Sequence, residues 1–518
     1  AFVIVILTGI SCVFIFLRNY YSNVACENLI YNLKEKMYNK FLNIDIRCLN
    51  DYSTGDLIQR SSSDIETVRK LFSAQLVNAF GSIATIILVI VVMSLINFKL
   101  AMISISLCIV ISFLSYVFYG KIGKIFKETD EAESQLMVFI KEALFNIRVI
   151  KAFNREDYIL KLFREKNEEF NITQNKFMRT FAKFRAVNDF LTFLQLAIIL
   201  VVGGYETISG RMNFGDLIAF VIYINMIIWP IRQMGQLLSD MAKASVSISR
   251  IYEVLDLPEE DYEYGTRDVS FSEKIEFKNV SLVINDNTVL DNISFVINAG
   301  ESLGIIGSTG SGKSMIVYLL LGLFEATSGE ILIDGINIKE INKRYIREKI
   351  SAIMQDSELF NMSILENVKI TNDNIDDKSI FNATEVSSIH DEILNFSSKY
   401  ETVVIDNGGN LSGGQKQRIS IARGLLKPFE VLILDDSLSA VDMNTDLKIN
   451  NALKSMDKKF TSIFISHRIS TITNCDNIIV MDGGKIVESG KHNDLIMKNG
   501  IYSKINEIQS KEYDVSNE

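Results

Sequence analysis

The sequence predicts an all-α, polytopic membrane domain followed by an α/β domain built around a phosphate-binding loop. Three observations carry that prediction. Five apolar runs, at about 1–17, 75–96, 100–119, 186–204 and 215–232, crowd the first half of the 518 residues. In the second half Gly307, Ser308, Thr309, Gly310, Ser311, Gly312, Lys313 and Ser314 spell GSTGSGKS. About a hundred residues later Leu411, Ser412, Gly413, Gly414 and Gln415 spell LSGGQ.

Each apolar run is near the roughly 20 residues a helix needs to cross a bilayer. GSIATIILVIVVMSLI and AMISISLCIVISFLSYVF carry no charge, whereas the last two runs are interrupted by polar residues, as helices lining a polar cavity would be. Asn188, Gln195, Tyr223 and Asn225 are candidates for such a cavity. Only three prolines occur, Pro230, Pro258 and Pro428, which suits long helices. Residues 18–74 carry 8 Lys and Arg and residues 120–185 carry 14, against 1 each at 97–99 and 205–214. The two long connections are therefore expected in the cytoplasm, as helices continuing past the bilayer. The chain opens at Ala1 inside an apolar run, so a further N-terminal span is expected to be missing.

Composition bounds the rest. Hydrophobic residues make up 48% of the chain and mean hydropathy is +0.19, high for a purely soluble protein. A net charge of −10 offers no basic surface to nucleic acid. Cys12, Cys26, Cys48, Cys108 and Cys475 are scattered without a CxxC pair, so neither a disulfide framework nor a zinc site is expected. The membrane domain is assigned to 1–243, a linker to 244–274, the second domain to 275–510 and a polar tail to 511–518. The heart of the linker, residues 256–270 (DLPEEDYEYGTRDVS), is acidic, holds Pro and Gly, and lacks periodicity.

The Gly-rich loop lies between a short apolar strand (SLGII, from Ser302) and a helix (MIVYLLLGLF, from Met315). Its backbone N–H groups then meet phosphates at a helix N-terminus, where the dipole favours anions. Lys313 suits the β- and γ-phosphates, and the Ser314 hydroxyl suits Mg²⁺. Residues 431–435 (VLILD) read as a buried strand ending in a carboxylate, Asp435, placed to hold that metal.

LSGGQ so spaced behind a phosphate loop resembles the nucleotide-binding domain of ABC (ATP-binding cassette) proteins. With its apolar first half, the whole chain resembles an ABC exporter half-transporter of the bacterial multidrug or lipid type. DYSTGDL at 51–57 with Arg60 and Asp64, and NFGDL at 213–217, are similar to stretches of that family's membrane domain. The resemblance implies the type I exporter fold, with six spans, five of them visible here, and residues 47–52 and 154–160 as coupling helices. It also implies roles in the ATPase domain. Gln355 would be a metal and water ligand, Asp442 part of the D-loop, and His467 a γ-phosphate contact. Two such domains pair head-to-tail, so Leu411, Ser412, Gly413, Gly414 and Gln415 would face the partner's ATP.

Two positions depart from the family. A glutamate normally follows the metal carboxylate as general base; here it is Asp436. An aromatic normally stacks on adenine; here it is Ile284. A smaller departure is IDNG at 405–408, where the family tends to Gly-Glu-X-Gly. The resemblance thus implies an ATPase that exports an amphipathic substrate (drug, lipid or peptide) across the cytoplasmic membrane by alternating access, with ATP and Mg²⁺. The expected partners are the bilayer, the substrate and a second half-transporter, with a heterodimer favoured because Asp436 marks a degenerate site; nucleic acid is not expected. A homodimer using Asp as base and a nucleotide-gated protein that does not pump are the alternatives. A soluble ABC ATPase is opposed by the five apolar spans.

Overall fold

The computed structural model describes residues 2–49, 52–262, 265, 267–372, 375–405, 407–456 and 459–516. The chain divides into two compact units, residues 1–44 with 52–257 and residues 45–51 with 258–518.

The first unit is helical. Its long helices are Phe2–Asn43, Thr54–Ile96, Phe98–Phe145, Glu156–Ile208 and Phe214–Leu255, and each carries one of the five apolar runs. Helices of 42 to 53 residues are roughly 60–80 Å long, about twice the hydrocarbon core, so they extend well beyond it. Their boundaries are written locally. Asn97 is the one residue between two helices; it leaves the helical region (φ −152°) and its side chain accepts from Leu100 N. Asn213 and Asp216 form a reciprocal capping box at the start of the last helix. Val89, Met93, Leu100, Ile199, Phe220 and Ile224 pack as one apolar cluster, while Leu95 and Ile208 stay exposed, as lipid-facing residues do.

The polar cavity candidates divide. Gln195 is buried between helices, its amide donating to Ser104 O at 3.3 Å, and Asn188 is buried as well. Asn225 instead bonds Val221 O of its own helix. Toward its N-terminal end, Thr54–Ile96 contains two π-turns, Arg60–Asp64 and Leu71–Gln75. Beside them polar side chains tie this helix to Phe214–Leu255. Gln75 donates to Asp240 (2.6 Å), Ser247 to Asp64 (2.7 Å), and buried Arg60 to Glu253 (2.8 Å).

The second unit holds two sheets, one of order β2-β1-β4-β5 and one of order β10-β9-β3-β8-β7-β6. β1 (Lys274–Ile284) pairs antiparallel with β2 (Asn287–Asn298) and with β4 (Ser328–Ile333), which continues to β5 (Ile336–Asn337). In the larger sheet β3 (Ser302–Gly307), β6 (Ile350–Ile353), β7 (Val431–Asp435), β8 (Thr461–Ile465) and β9 (Asn477–Asp482) run parallel, with β10 (Lys485–Gly490) antiparallel at the edge. Every residue of β7 and β8 is buried. Such strands read as unbroken apolar runs, not alternating ones, because both faces are covered.

Two readings need correction. Helix Phe214–Leu255 runs through 244–255, so the start of the expected linker is helix. Beyond it, the described residues of the linker form a strap along the second unit. Arg347 places two N–H groups on the Glu260 carboxylate (Nη1–Oε2 2.9 Å) and its Nε on Leu321 O (3.0 Å). Tyr262 lies under Arg344 and Arg347, Gly265 presses on the Ile341 backbone, Arg267 pairs with Glu340 (2.9 Å), and Tyr345 donates to Val269 O (2.8 Å). Gly265 has φ +91°, and a Cβ there would come within 2.5 Å of Ile341, so glycine is required. The strap lacks periodicity because its partners lie some 75 to 90 residues away.

Of residues 47–52, 50 and 51 lie outside the described residues; a short helix spans Ile46–Leu49, and Asp45 N donates to Pro258 O (3.3 Å). Residues 154–160 do not form a helix of their own. The short helix is Ile147–Ala152, Asn154 turns left-handed at φ 51°, and 156–160 already belong to the long helix Glu156–Ile208. Asn is among the few residues that accept that conformation readily.

Candidate functional site

The site lies at the C-terminal ends of the parallel strands, where open α/β sheets bind ligands. β3 delivers the Gly-rich loop, and the helix Lys313–Leu320 begins at its end with Gly312 as N-cap. Gly312 has φ +91°, and a Cβ on it would lie 2.6 Å from Leu290 and 2.9 Å from Val289 O. A Cβ on Gly307 would lie 2.1 Å from Met481 O. These two glycines therefore set the path of the loop. Lys313 folds back, its Nζ donating to Gly307 O (2.9 Å) and Ser308 O (2.8 Å). Burial pulls its pKa down, opposed by the nearby charges of Asp435 and Asp436. Ser311 Oγ is buried and has no hydrogen-bond partner in the protein, an orphan donor inside a loop built for anions.

Val289, Thr309, Gly310, Gly312, Lys313, Ser314, Met315, Gln355, Asp435, Asp436, Ile465 and His467 line one cleft of about 490 Å³. It brings together the phosphate loop, Gln355 just beyond β6, both carboxylates at the end of β7, and His467 just beyond β8. Burial pushes the Asp435 carboxyl up, while a hydrogen bond from Ser314 works against that rise. A buried carboxylate beside a serine hydroxyl and a glutamine amide is a set of hard oxygen donors, which suits Mg²⁺. Among the described residues no group of three or more His, Cys, Asp and Glu could hold a metal. An ion here would take its remaining ligands from phosphate and water, as Mg²⁺ ordinarily does.

Asp436 occupies the left-handed region at φ 47°, which Asp, like Asn, enters more readily than most residues. Its N–H donates to Ile465 O (2.8 Å), and its C=O accepts from Ser439 N (3.2 Å) and Ser439 Oγ (2.8 Å). With the backbone pinned on both sides, the reach of its carboxylate is set by side-chain length.

The signature residues lie elsewhere on the same unit. Ser412 caps the helix Gly413–Leu425 in a reciprocal box: its hydroxyl accepts from Gln415 N (3.2 Å), and Gln415 Oε1 accepts from Ser412 N (2.9 Å). Gln415 also donates to Glu392 (2.9 Å). Leu411 is buried in the apolar cluster that includes Ile364, Ile380 and Ile419. Gly414 backs onto Ala440 O, 2.9 Å from where a Cβ would sit. Asp442 caps the next helix, Met443–Lys454, accepting from Thr445 N (3.0 Å), which holds its carboxyl below the usual range. Ile284 pairs with Asn287 at the tip of the β1–β2 hairpin, partly buried against the core. Asp406 lies outside the described residues.

Several working residues carried no sequence signal. Val289, Met315 and Ile465 line the cleft only because their strands and helix end there. Gln417 bonds Ser439 Oγ (3.1 Å) and Ala440 N (2.9 Å), and Arg468 donates to Ser439 O and Val441 O (2.7 Å each). Together they grip the loop 439–442 from opposite sides. Arg468 directly follows His467, but nothing local said where its guanidinium goes.

A strand–loop–helix phosphate site with a buried carboxylate two strands along the same sheet defines a nucleoside-triphosphate-binding domain, here on the same chain as a helical membrane unit. Residues 1–231 match the family model described as ABC transporter transmembrane region, and residues 290–439 match the one described as ABC transporter. Multidrug export ATP-binding/permease proteins of Staphylococcus aureus strains COL and MW2 are 32% identical over 503 residues, 96% of this chain and 86% of each relative. A solved bacterial Atm1-family ABC exporter with ATP bound has the same fold. Its TM-score is 0.83 at 24% identity, covering 96% of this chain and 88% of that one. The chain belongs to the ABC exporter family, with its membrane domain and its ATPase domain fused in one polypeptide. It is an ATP-binding membrane protein whose ATPase domain faces the cytoplasm.

Proposed function

We propose that this chain is one half of a heterodimeric ABC exporter, with a degenerate ATP site of its own and an intact signature that completes its partner's site. The observation that carries the reading is the pinned backbone of Asp436. In this family a glutamate at that position activates the attacking water; aspartate is one methylene shorter, and its backbone has no freedom to move forward. Ile284 in place of the adenine-stacking aromatic weakens the same site. The signature residues Ser412 to Gln415 keep both the family sequence and their capping bonds.

In this reading Lys313 and the backbone N–H groups of the loop neutralise and orient the phosphates of ATP. Asp435, Ser314 and Gln355 would hold Mg²⁺, which supplies charge neutralisation at the β- and γ-phosphates when bound. His467 contacts the γ-phosphate, and Asp442 belongs to the face turned to the partner domain. ATP closes two such domains on each other, and the coupling segments turn closure into alternating access across the bilayer. The relatives' names support a drug-like amphipathic substrate.

The test is hydrolysis by the purified chain alone. It should bind ATP yet turn it over slowly, and Asp436→Glu should raise turnover by up to about two orders of magnitude, the scale of a general base. Fast hydrolysis by the unmutated chain, with no gain from Asp436→Glu, would instead establish a homodimer that uses aspartate as its base.

A further inference from the structure

We infer that Gln509, on the C-terminal helix Ile501–Ser516, is a positioning residue for His467. Its side-chain amide donates from Nε2 to His467 O (2.7 Å) and accepts at Oε1 from Ile469 N (2.9 Å). One amide thus closes on the two backbone groups that bracket Arg468. Only one orientation of the amide satisfies both, because its oxygen cannot donate and its nitrogen cannot accept.

The geometry gives this clamp a task. His467 is exposed, so packing does not set the direction of its imidazole; the backbone beneath it does. On one side that backbone continues from β8, whose last residue pairs with Asp435. On the other side it enters the short helix Ile469–Ile472, which is buried, so the exposed stretch between the two anchors is what must be held. Arg468 spends its guanidinium on the 439–442 loop and its N–H on Ser466 Oγ (2.9 Å). Gln509 is the side chain that holds His467 O. Its helix is a firm base, since Tyr502 is fully buried and bonds His492 (2.7 Å). The C-terminal helix therefore sets where the histidine points, from a position at the very end of the folded domain.

The inference rests on His467 meeting the γ-phosphate, and the experiment separates the two ideas. Affinities for ATP and for ADP are measured with Mg²⁺ on the full chain in lipid nanodiscs, by displacement of a fluorescent trinitrophenyl nucleotide. Gln509→Met keeps the length and removes both bonds. It should weaken ATP about tenfold, the scale of one lost hydrogen bond to a charged group, and leave ADP unchanged. Gln509→Asn, one methylene short of both partners, should do the same. His467→Ala should weaken ATP at least as far, with no further loss in the double variant. Ser510→Ala should change nothing, because that hydroxyl bonds only Glu507 O (3.1 Å) within its own helix. A normal ATP-to-ADP ratio in both Gln509 variants, beside a collapsed ratio in His467→Ala, would overturn the inference. So would a Gln509 variant that loses ADP as much as ATP, since that is general unfolding of the site. An unchanged ratio in His467→Ala would overturn the γ-phosphate reading and this inference with it.

Discussion

On the phosphate side of the ATPase unit, Gln355, Asp436 and His467 open onto a cleft. On the signature side, Ser412, Gln415 and Gln417 are each bonded within the protein. The two family departures at nucleotide-contact positions, Ile284 and Asp436, both belong to the first side. The difference has a physical basis. A side chain whose partner is the substrate can change without disturbing the fold, and only affinity or rate is lost. Replacing Ser412 or Gln417 would strand capped or looped backbone groups, at a cost to the domain itself. The signature is therefore held by structure as well as by use, while the open side chains of the cleft, Gln355, Asp436 and His467, are held by use.

Four substitutions probe that contrast. Lys313→Ala should have the largest effect, lowering ATP affinity at this chain's own site about a thousandfold, the scale of two charge-assisted bonds. The thermal melt without nucleotide should move little; a large drop would show that the phosphate side too is a structural element. Arg347→Ala acts at the far end of the same helix, removing the Leu321 O contact and leaving Glu260 with Lys343 at 3.9 Å as its remaining cation. It should cost about 2–3 kcal/mol of stability, near the lower end for breaking a buried pair, read as a lower melting temperature with and without ATP. Glu260→Gln should cost less, because its amide oxygen can still accept a hydrogen bond from Arg347. Ser412→Ala is the smallest, about 1 kcal/mol for the lost cap, with ATP affinity at this chain's own site intact. Its functional effect should fall on the complex with the partner, as a loss of hydrolysis there. Equal loss of hydrolysis in the isolated chain would break the division between the two sides.

Much of the site was legible because its parts are local. GSTGSGKS and VLILD each place their chemistry within a few residues, and parallel strands announce themselves as apolar runs. The exporter resemblance then assigned Gln355, Asp442 and LSGGQ. The segment 256–270 reads only as a linker, and its contacts were not legible, because a strap bonded to residues 340–347 has no pattern of its own. The short helix Ile147–Ala152 was missed because its end is a single left-handed Asn154, while the residues around it continue an amphipathic run.

By itself the sequence determined the two-part architecture, the five apolar runs, the phosphate loop and the shortened carboxylate at Asp436. These follow from hydrophobic runs, backbone-specific glycines and side-chain length, all of which act over a few residues. The tertiary structure alone decided that Asp436 cannot shift forward, that Arg347 joins the strap to the phosphate-loop helix, and that Gln509 closes on the histidine loop. Each of those depends on a hydrogen bond between groups far apart in the chain, Asp436 N to Ile465 O among them. Such partners are selected by where strands and helices end in space, which no local pattern records.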